Sequence, residues 1–358
     1  MRAILNLFSW AFQALMSFVP KRIGFGIGVP GDMITLFVKD MYKAGLEGMK
    51  MQKTRFQDIF KVENVTEGGG DKEDQILGLG DLEQHTVISQ KINFKSPVQG
   101  WAFYCKYYLY SDGLHLAKET VEDKVKDASL GNLLKGLSRT WGTSINVAKE
   151  TLAAQHFNDG GDLLGNAIFN GTHPGQTASS GDLLYDSKPL FNLSGNTRTT
   201  KGGATYYNAL ATTADLSVSN FESLYHLATA TNNRDERDRI RRNEVDTILT
   251  RTGAEFWKAK RIIETERGYP TSQLNDINPN YKLVSAIDWD YLTDGTTYPA
   301  FYLGKRQHPD FVWRERQSAE YRFFRDEEDL SYKASVNIRF GGFIKSWRVW
   351  HRAGGTSA

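Results

Sequence analysis

Apolar residues recur at steps of three and four through Leu130, Leu133, Leu134, Leu137, Trp141, Ile145, Ala148 and Leu152. That spacing predicts a helix over residues 129–157, roughly 43 Å long at ~1.5 Å per residue. Gly160-Gly161 closes it. Gly131, Gly136 and Gly142 lie inside. Each costs the helix about 1 kcal/mol relative to Ala, so they point to bending or to close approach of another backbone. Ile34, Phe37, Met41 and Ala44 predict a second helix over 33–51, with Asp32 as its candidate cap. Val218, Phe221, Leu224, Tyr225 and Ala228 predict a third, and 254–263 a fourth. A shorter amphipathic segment, 114–125, precedes the long helix.

Strand signals lie on both sides of these helices. Ile88, Ile92 and Phe94 alternate with Ser89, Lys91 and Asn93, and 101–110 (WAFYCKYYLY) is almost wholly apolar or aromatic. With 97–100 as the turn, the two runs predict a long hairpin. A two-stranded hairpin is marginal in water, so one this apolar must lie on its own core or on a neighbouring subunit. Cys105 within it reads as a packed small apolar residue. Residues 244–249 alternate like a strand, and with the flanking helices they predict an α/β subdomain. Residues 281–304 and 332–352 predict closing strands, with a bulge or bend at Phe340-Gly341-Gly342-Phe343.

Two stretches resist a regular assignment. Residues 63–83 carry seven acids against one lysine around Gly68-Gly69-Gly70, an exposed acidic loop by pattern. The ordered spacing of a calcium loop is absent. Residues 160–205 are rich in Gly, Asn, Thr and Ser and read as a surface excursion. At the N-terminus, 3–19 is mostly apolar, with Asn6, Ser9, Gln13 and Ser17 on one narrow helix face. An amphipathic helix docked on a partner fits best. A targeting signal and a start codon placed too early remain alternatives.

The chain has 358 residues, with 44 Lys+Arg and 42 Asp+Glu, a formal net charge of +2. Tight polyanion binding by the whole surface does not fit that balance. A single cysteine excludes an intrachain disulfide and a Cys-rich metal site. Gly26-Ile27-Gly28-Val29-Pro30-Gly31 matches a dinucleotide fingerprint, but no strand precedes it and Pro30 interrupts it, so a hinge is the better reading. Three Asn-x-Ser/Thr triplets matter only in a secreted chain. The run Arg234–Arg242 mixes five arginines with three acids and reads as a solvated, internally paired face. Nucleophile elbow, HExxH, Walker and kinase signatures are all missing, so no catalytic, cofactor or metal residue is assigned and no enzyme is expected.

The order of these parts resembles the major capsid proteins of tailed bacteriophages with the Hong Kong 97 type of fold, closest to the Mu-like head-subunit branch. It covers 30–352. The carrying segments are the long helix, LLYDSKPLF (183–191) followed by Gly202-Gly203 and 206–210, and the closing SVNIRFGGF (335–343). The resemblance implies an α+β chain divided into five parts. These are an N-terminal arm and helix (1–61), an extended hairpin loop (62–110), a peripheral domain with the spine helix (111–207), an axial domain (208–285) and peripheral strands (286–358). It implies a homo-oligomer of hexamers and pentamers around double-stranded DNA held by weak contacts. Portal, scaffolding and decoration proteins would be further partners. No membrane or cofactor is implied. The location would be the virion, after synthesis in the host bacterial cytoplasm. Ile88, Ile92, Phe94, Trp101, Phe103, Tyr107 and Leu109 would form the assembly interface of the extended loop. An encapsulin-like shell and a secreted enzyme are the alternatives.

Overall fold

A computed structural model describes residues 31–64, 72–77, 98–104, 107–121, 129–160, 188–267, 277–293, 297–326 and 331–355, with Gly295 and Glu328. The apolar N-terminal run, Gly26–Pro30, Ile88, Ile92, Phe94 and Cys105 lie outside them. The class is α+β. Helix α1 (Gly31–Met51) is followed by a single turn α2 (Phe56–Ile59), which runs straight into β1 (Phe60–Asn64). Asp32 falls in the first turn of α1 rather than at its cap. The long periodic run forms α3 (Ser129–Asn158), 30 residues.

Helices α1 and α3 cross backbone to backbone. A Cβ on Gly142 would sit 2.2 Å from the Gly45 carbonyl oxygen, and one on Gly48 would sit 2.1 Å from that of Arg139. Close approach, not bending, therefore explains Gly142. Gly136 faces open space, with nothing within 4 Å of its would-be Cβ.

The first sheet has the order β1-β10-β11-β4, built from β4 (Tyr108–Leu116), β10 (His308–Arg325) and β11 (Tyr332–Ile344). β1 runs parallel to β10, and the other pairs are antiparallel. In β11, Tyr332, Ala334, Val336, Ile338 and Phe340 are buried while Lys333, Ser335, Asn337 and Arg339 between them are half-buried. This is the period-two alternation of a sheet with one covered face. The glycines Gly341 and Gly342 do not carry a bulge. They pair in regular register with Arg314 and Trp313, and the extra residues lie on β10, between Glu315 and Gln317 and between Gln317 and Glu320. Gly342 instead makes room for a ring, since its Cβ would fall 2.4 Å from His156 Nε2.

The second sheet has the order β12-β9-β7-β8, from β7 (Thr247–Arg251), β8 (Ser285–Trp289), β9 (Phe301–Gly304) and β12 (Trp350–Ala353). β7 and β8 are parallel, with α5 (Ala254–Glu264) in the crossover between them. Leu249, Tyr302, Trp289 and Trp350 face the main core. Ile248, Phe301, Leu303 and Ala353 face a second core with Phe221 and Leu224 of α4 (Val218–His226). Strands buried on both faces lose the alternation that marks a surface strand.

Several expectations are corrected. The longest strand, β10, was unassigned, because its two bulges break the alternation of its side chains. Residues 114–116 finish β4 and, among the described residues, a helical turn begins at 118, so the amphipathic segment is not one helix throughout. The run 101–110 is divided between two sheets. Val98, Gln99 and Gly100 are already strand, not turn. Within the acidic stretch, Lys72–Leu77 is a strand, β2. Residues 188–200 are not a surface excursion. Leu190, Phe191, Asn192 and Arg198 are buried there.

The contrast between the helix glycines is testable in urea unfolding. Gly142→Ala is expected to lose about 1–3 kcal/mol from overpacking against α1. Gly136→Ala is expected to gain up to about 1 kcal/mol from helix propensity. Equal effects at the two positions would contradict the backbone-to-backbone crossing.

Candidate assembly interface

Phe157, near the end of α3, sits at the junction of both sheets. Its ring centroid lies 5.6 Å from that of Phe311, 5.1 Å from Tyr302, 5.8 Å from Trp289 and 5.4 Å from Trp350. The Tyr302 hydroxyl donates to the Phe157 carbonyl at 3.1 Å. One helix end thereby joins strands from 285 to 353 to the first sheet.

Around this junction the buried polar groups hold elements together. Asn208 donates to the carbonyls of Leu190, Trp347 and Trp350 at 2.9, 3.0 and 3.1 Å, and accepts from the Asn192 amide at 2.8 Å. Glu150 accepts from the Phe56 amide at 3.2 Å, from the Arg55 amide and from Trp289 Nε1. Burial raises its carboxyl above the ordinary range, against these hydrogen bonds. The perturbed groups thus serve packing. Among the described residues, no cluster of His, Cys, Asp and Glu could hold a metal ion. No described helix is long and apolar enough to cross a membrane.

The predicted interface residues fall in different places. Trp101 and Phe103 lie in β3 (Val98–Tyr104). This strand pairs antiparallel with β2, with Phe103 opposite Glu73, and the segment around Ile88 lies outside the described residues. β2 and β3 form a two-stranded sheet of their own, separate from both four-stranded sheets. Leu109 belongs to the first sheet, and Tyr107 immediately precedes its strand β4. The Tyr107 ring lies 5.3 Å from the Arg316 guanidinium. Leu109, 62% exposed, stands opposite Arg339 on the uncovered face. The four described residues are therefore divided between the ribbon and the edge of the first sheet.

The arginine run, expected as a solvated, internally paired face, is internally paired in part. Its three acids turn inward. Asp235 accepts from the Arg237 and Arg239 amides at 2.8 and 3.0 Å, and pairs with the Arg239 side chain at 2.6 Å. Asp238 accepts from Thr200 Oγ1 at 2.7 Å and from the Ala204 amide at 3.2 Å. Glu236 pairs with the buried Arg348. This pair is a link to the body of the chain, where an internally paired loop was expected. Ile240, 73% exposed, is left at the tip beside exposed Arg241 and Arg242.

No protein-family profile matches the chain, and no curated protein does. Among solved structures, the chain is similar to one of Mycobacterium phage Patience, with 10% identity, coverage of 95% of each chain and a TM-score of 0.49. It is also similar to the capsid of Ralstonia phage GP4, with 12% identity, 86% of this chain, 92% of that chain and a TM-score of 0.46. A virus-like particle from Pyrococcus furiosus follows, with 8% identity, 88% and 99% coverage and a TM-score of 0.42. At these values the likenesses stand as similarities, and the functional reading rests on the geometry.

Two histidines make a pH prediction. His156 Nδ1 donates to the Leu152 carbonyl at 2.8 Å, and His351 Nε2 accepts from Asn232 Nδ2 at 2.8 Å. Burial depresses their pKa values to about 4 and about 3. The unfolded chain protonates both below about 6.5, while the fold keeps them neutral. Stability therefore falls as pH drops from about 6.5 toward 4, by up to about 1.4 kcal/mol per pH unit for each ring. His351→Gln is expected to flatten the slope of unfolding free energy between pH 6 and 4.5 by about one such share. An unchanged slope would contradict it.

Proposed function

We propose that this chain is the major capsid protein of a tailed phage. Copies would assemble as hexamers and pentamers into an icosahedral head that encloses double-stranded DNA. The observation that carries this reading is the β2–β3 ribbon. It is a two-stranded sheet outside both main sheets, and its sequence holds Trp101, Phe103 and Tyr104. Such a ribbon is marginal in water by itself and gains stability when another surface covers it. Further copies in closed symmetry supply that surface everywhere at once. In this reading 62–110 is the extended loop, and 208–285 is the axial domain.

The work of such a chain is assembly, not turnover. The buried titratable groups described above are consistent with that, since their partners are backbone and packing atoms. The net charge of +2 suits a container that lines DNA without gripping it, because each neutralised phosphate strengthens binding. Portal, scaffolding and decoration proteins would be its further partners in the virion.

Negative-stain microscopy of the purified protein tests the proposal. Shells tens of nanometres across are expected, with nuclease-resistant DNA inside particles made during infection. Shells holding protein cargo and no DNA would favour a nanocompartment instead, and particles of single-chain mass at every concentration would overturn the shell reading. Trp101→Asp is expected to abolish particles while leaving soluble subunits. Normal particles from that variant would remove the ribbon from the interface.

A further inference from the structure

Helices α1 and α3 lie together on the covered face of the first sheet. Phe37 and Tyr42 of α1 meet Phe323 and Tyr321 of β10, with ring centroids 5.9 and 6.3 Å apart, and Trp141 of α3 meets Tyr321 at 6.3 Å. What the two helices expose therefore points away from the sheet, on one side of the subunit. On α1, Lys39, Lys43 and Lys50 are exposed. They stand at i, i+4 and i+11, within about 40° of one another around the helix at ~100° per residue. Among the described residues no carboxylate pairs with any of the three. Two acids of α1 are taken by α3 instead: Asp40 pairs with Lys135 at 3.1 Å and Glu47 with Arg139 at 2.9 Å. Over its 30 residues α3 adds one acid, Glu150, which is buried. Asp32, in the first turn of α1, is the one remaining acid of the two helices. The exposed positions of α3 include Asn132, Thr140, Ser144 and Thr151, all uncharged and able to hydrogen-bond.

Lysines without counter-ions beside hydroxyl and amide groups are the set that contacts nucleic-acid phosphates. We infer that this helix layer is the face that lies on the phosphate backbone of the enclosed duplex, with Lys39, Lys43 and Lys50 as its contacts. This rests on the shell reading and names where the chain meets its DNA. The three lysines span about 16 Å along the helix at ~1.5 Å per residue, the rise of roughly five base pairs, so each meets a separate phosphate. Leu36 and Leu46 flank the row, 55% and 38% exposed, with Lys39 and Lys43 between them in sequence. Two side chains so far apart make no continuous apolar strip for a partner helix, which needs an anchor every three or four residues. The contact positions the duplex and reads no base. A local row of cations also reconciles DNA contact with a net charge of only +2. Each copy holds weakly, and repetition over many copies sums the effect.

Fluorescence anisotropy of a labelled mixed-sequence DNA duplex, titrated with the full-length protein across a salt series, tests it. The variant Lys39→Gln/Lys43→Gln/Lys50→Gln is expected to bind at least about tenfold more weakly at low salt. Its slope of log affinity against log salt is expected to be shallower by about 2.7, three phosphates at ~0.9 each. Lys39→Arg/Lys43→Arg/Lys50→Arg is expected to bind as the wild type does, which separates charge from folding. Arg251→Gln/Arg261→Gln/Arg267→Gln, which removes equal charge from exposed positions around α5, is expected to change little. An unchanged slope in the lysine-to-glutamine variant, an equal loss in the α5 variant, or no salt-dependent binding by the wild type would each overturn the inference. Full DNA affinity with failed assembly in the lysine-to-glutamine variant would overturn it in favour of a protein partner on this face. A wild-type chain that binds the duplex but never forms shells would remove the shell reading while leaving a phosphate contact on these lysines.

Discussion

The packing of the Phe157 ring at the end of α3 is the interaction on which the rest depends. Its neighbours come from residues as far apart as Phe60 and Trp350, so one fully buried side chain ties both sheets to the long helix. Aromatic rings in edge-to-face and tilted contact bury large areas and fix relative orientation as well. Asn208 and Glu150 complete the junction, because chain segments that meet at angles leave carbonyls and amides that no sheet ladder can satisfy. With the junction fixed, α3 presents one side to α1 through the glycine contact and another to the first sheet. The β2–β3 ribbon remains a sheet apart.

That division of labour accounts for the character of the chain. Most of its apolar surface is spent on two internal cores, on opposite sides of the second sheet. Outside them lie the two-stranded ribbon and, among the described residues, several exposed large apolar side chains, Leu109 on the open face of the first sheet, Trp257, Ile240 and Ile277 among them. In the arginine loop the acids are engaged by the body of the chain and by Arg239, while Arg241 and Arg242 are exposed.

Much of this was legible in the sequence. The step of three and four located α3 to within a residue, and the interior glycines pointed to bending or to close backbone approach, of which Gly142 makes the second. Strand pairing was not legible. Trp101 and Phe103 look as if they belong with Ile92, because nearest apolar runs suggest a hairpin, yet β3 pairs with the charged segment Lys72–Leu77. Ladder hydrogen bonds are made by backbone, and an acidic side chain does not forbid them. β10 was hidden for a different reason: two extra residues shift which side chains face inward, so no single period runs its length. Of the candidate interface, the composition of the ribbon could be read, but the inward turn of three acids in the arginine loop could not.

The central claim is that the ribbon acquires its stability from other copies of the chain. Amide hydrogen exchange of Val98–Tyr104, measured in assembled particles and in dissociated subunits, tests it most directly. The account predicts strong protection in the particles and near-complete loss of it in the free subunits, while Leu249 and Tyr302 in the second sheet stay protected in both. Equal protection of the ribbon in the free subunit would show that it is stable alone and would contradict the account.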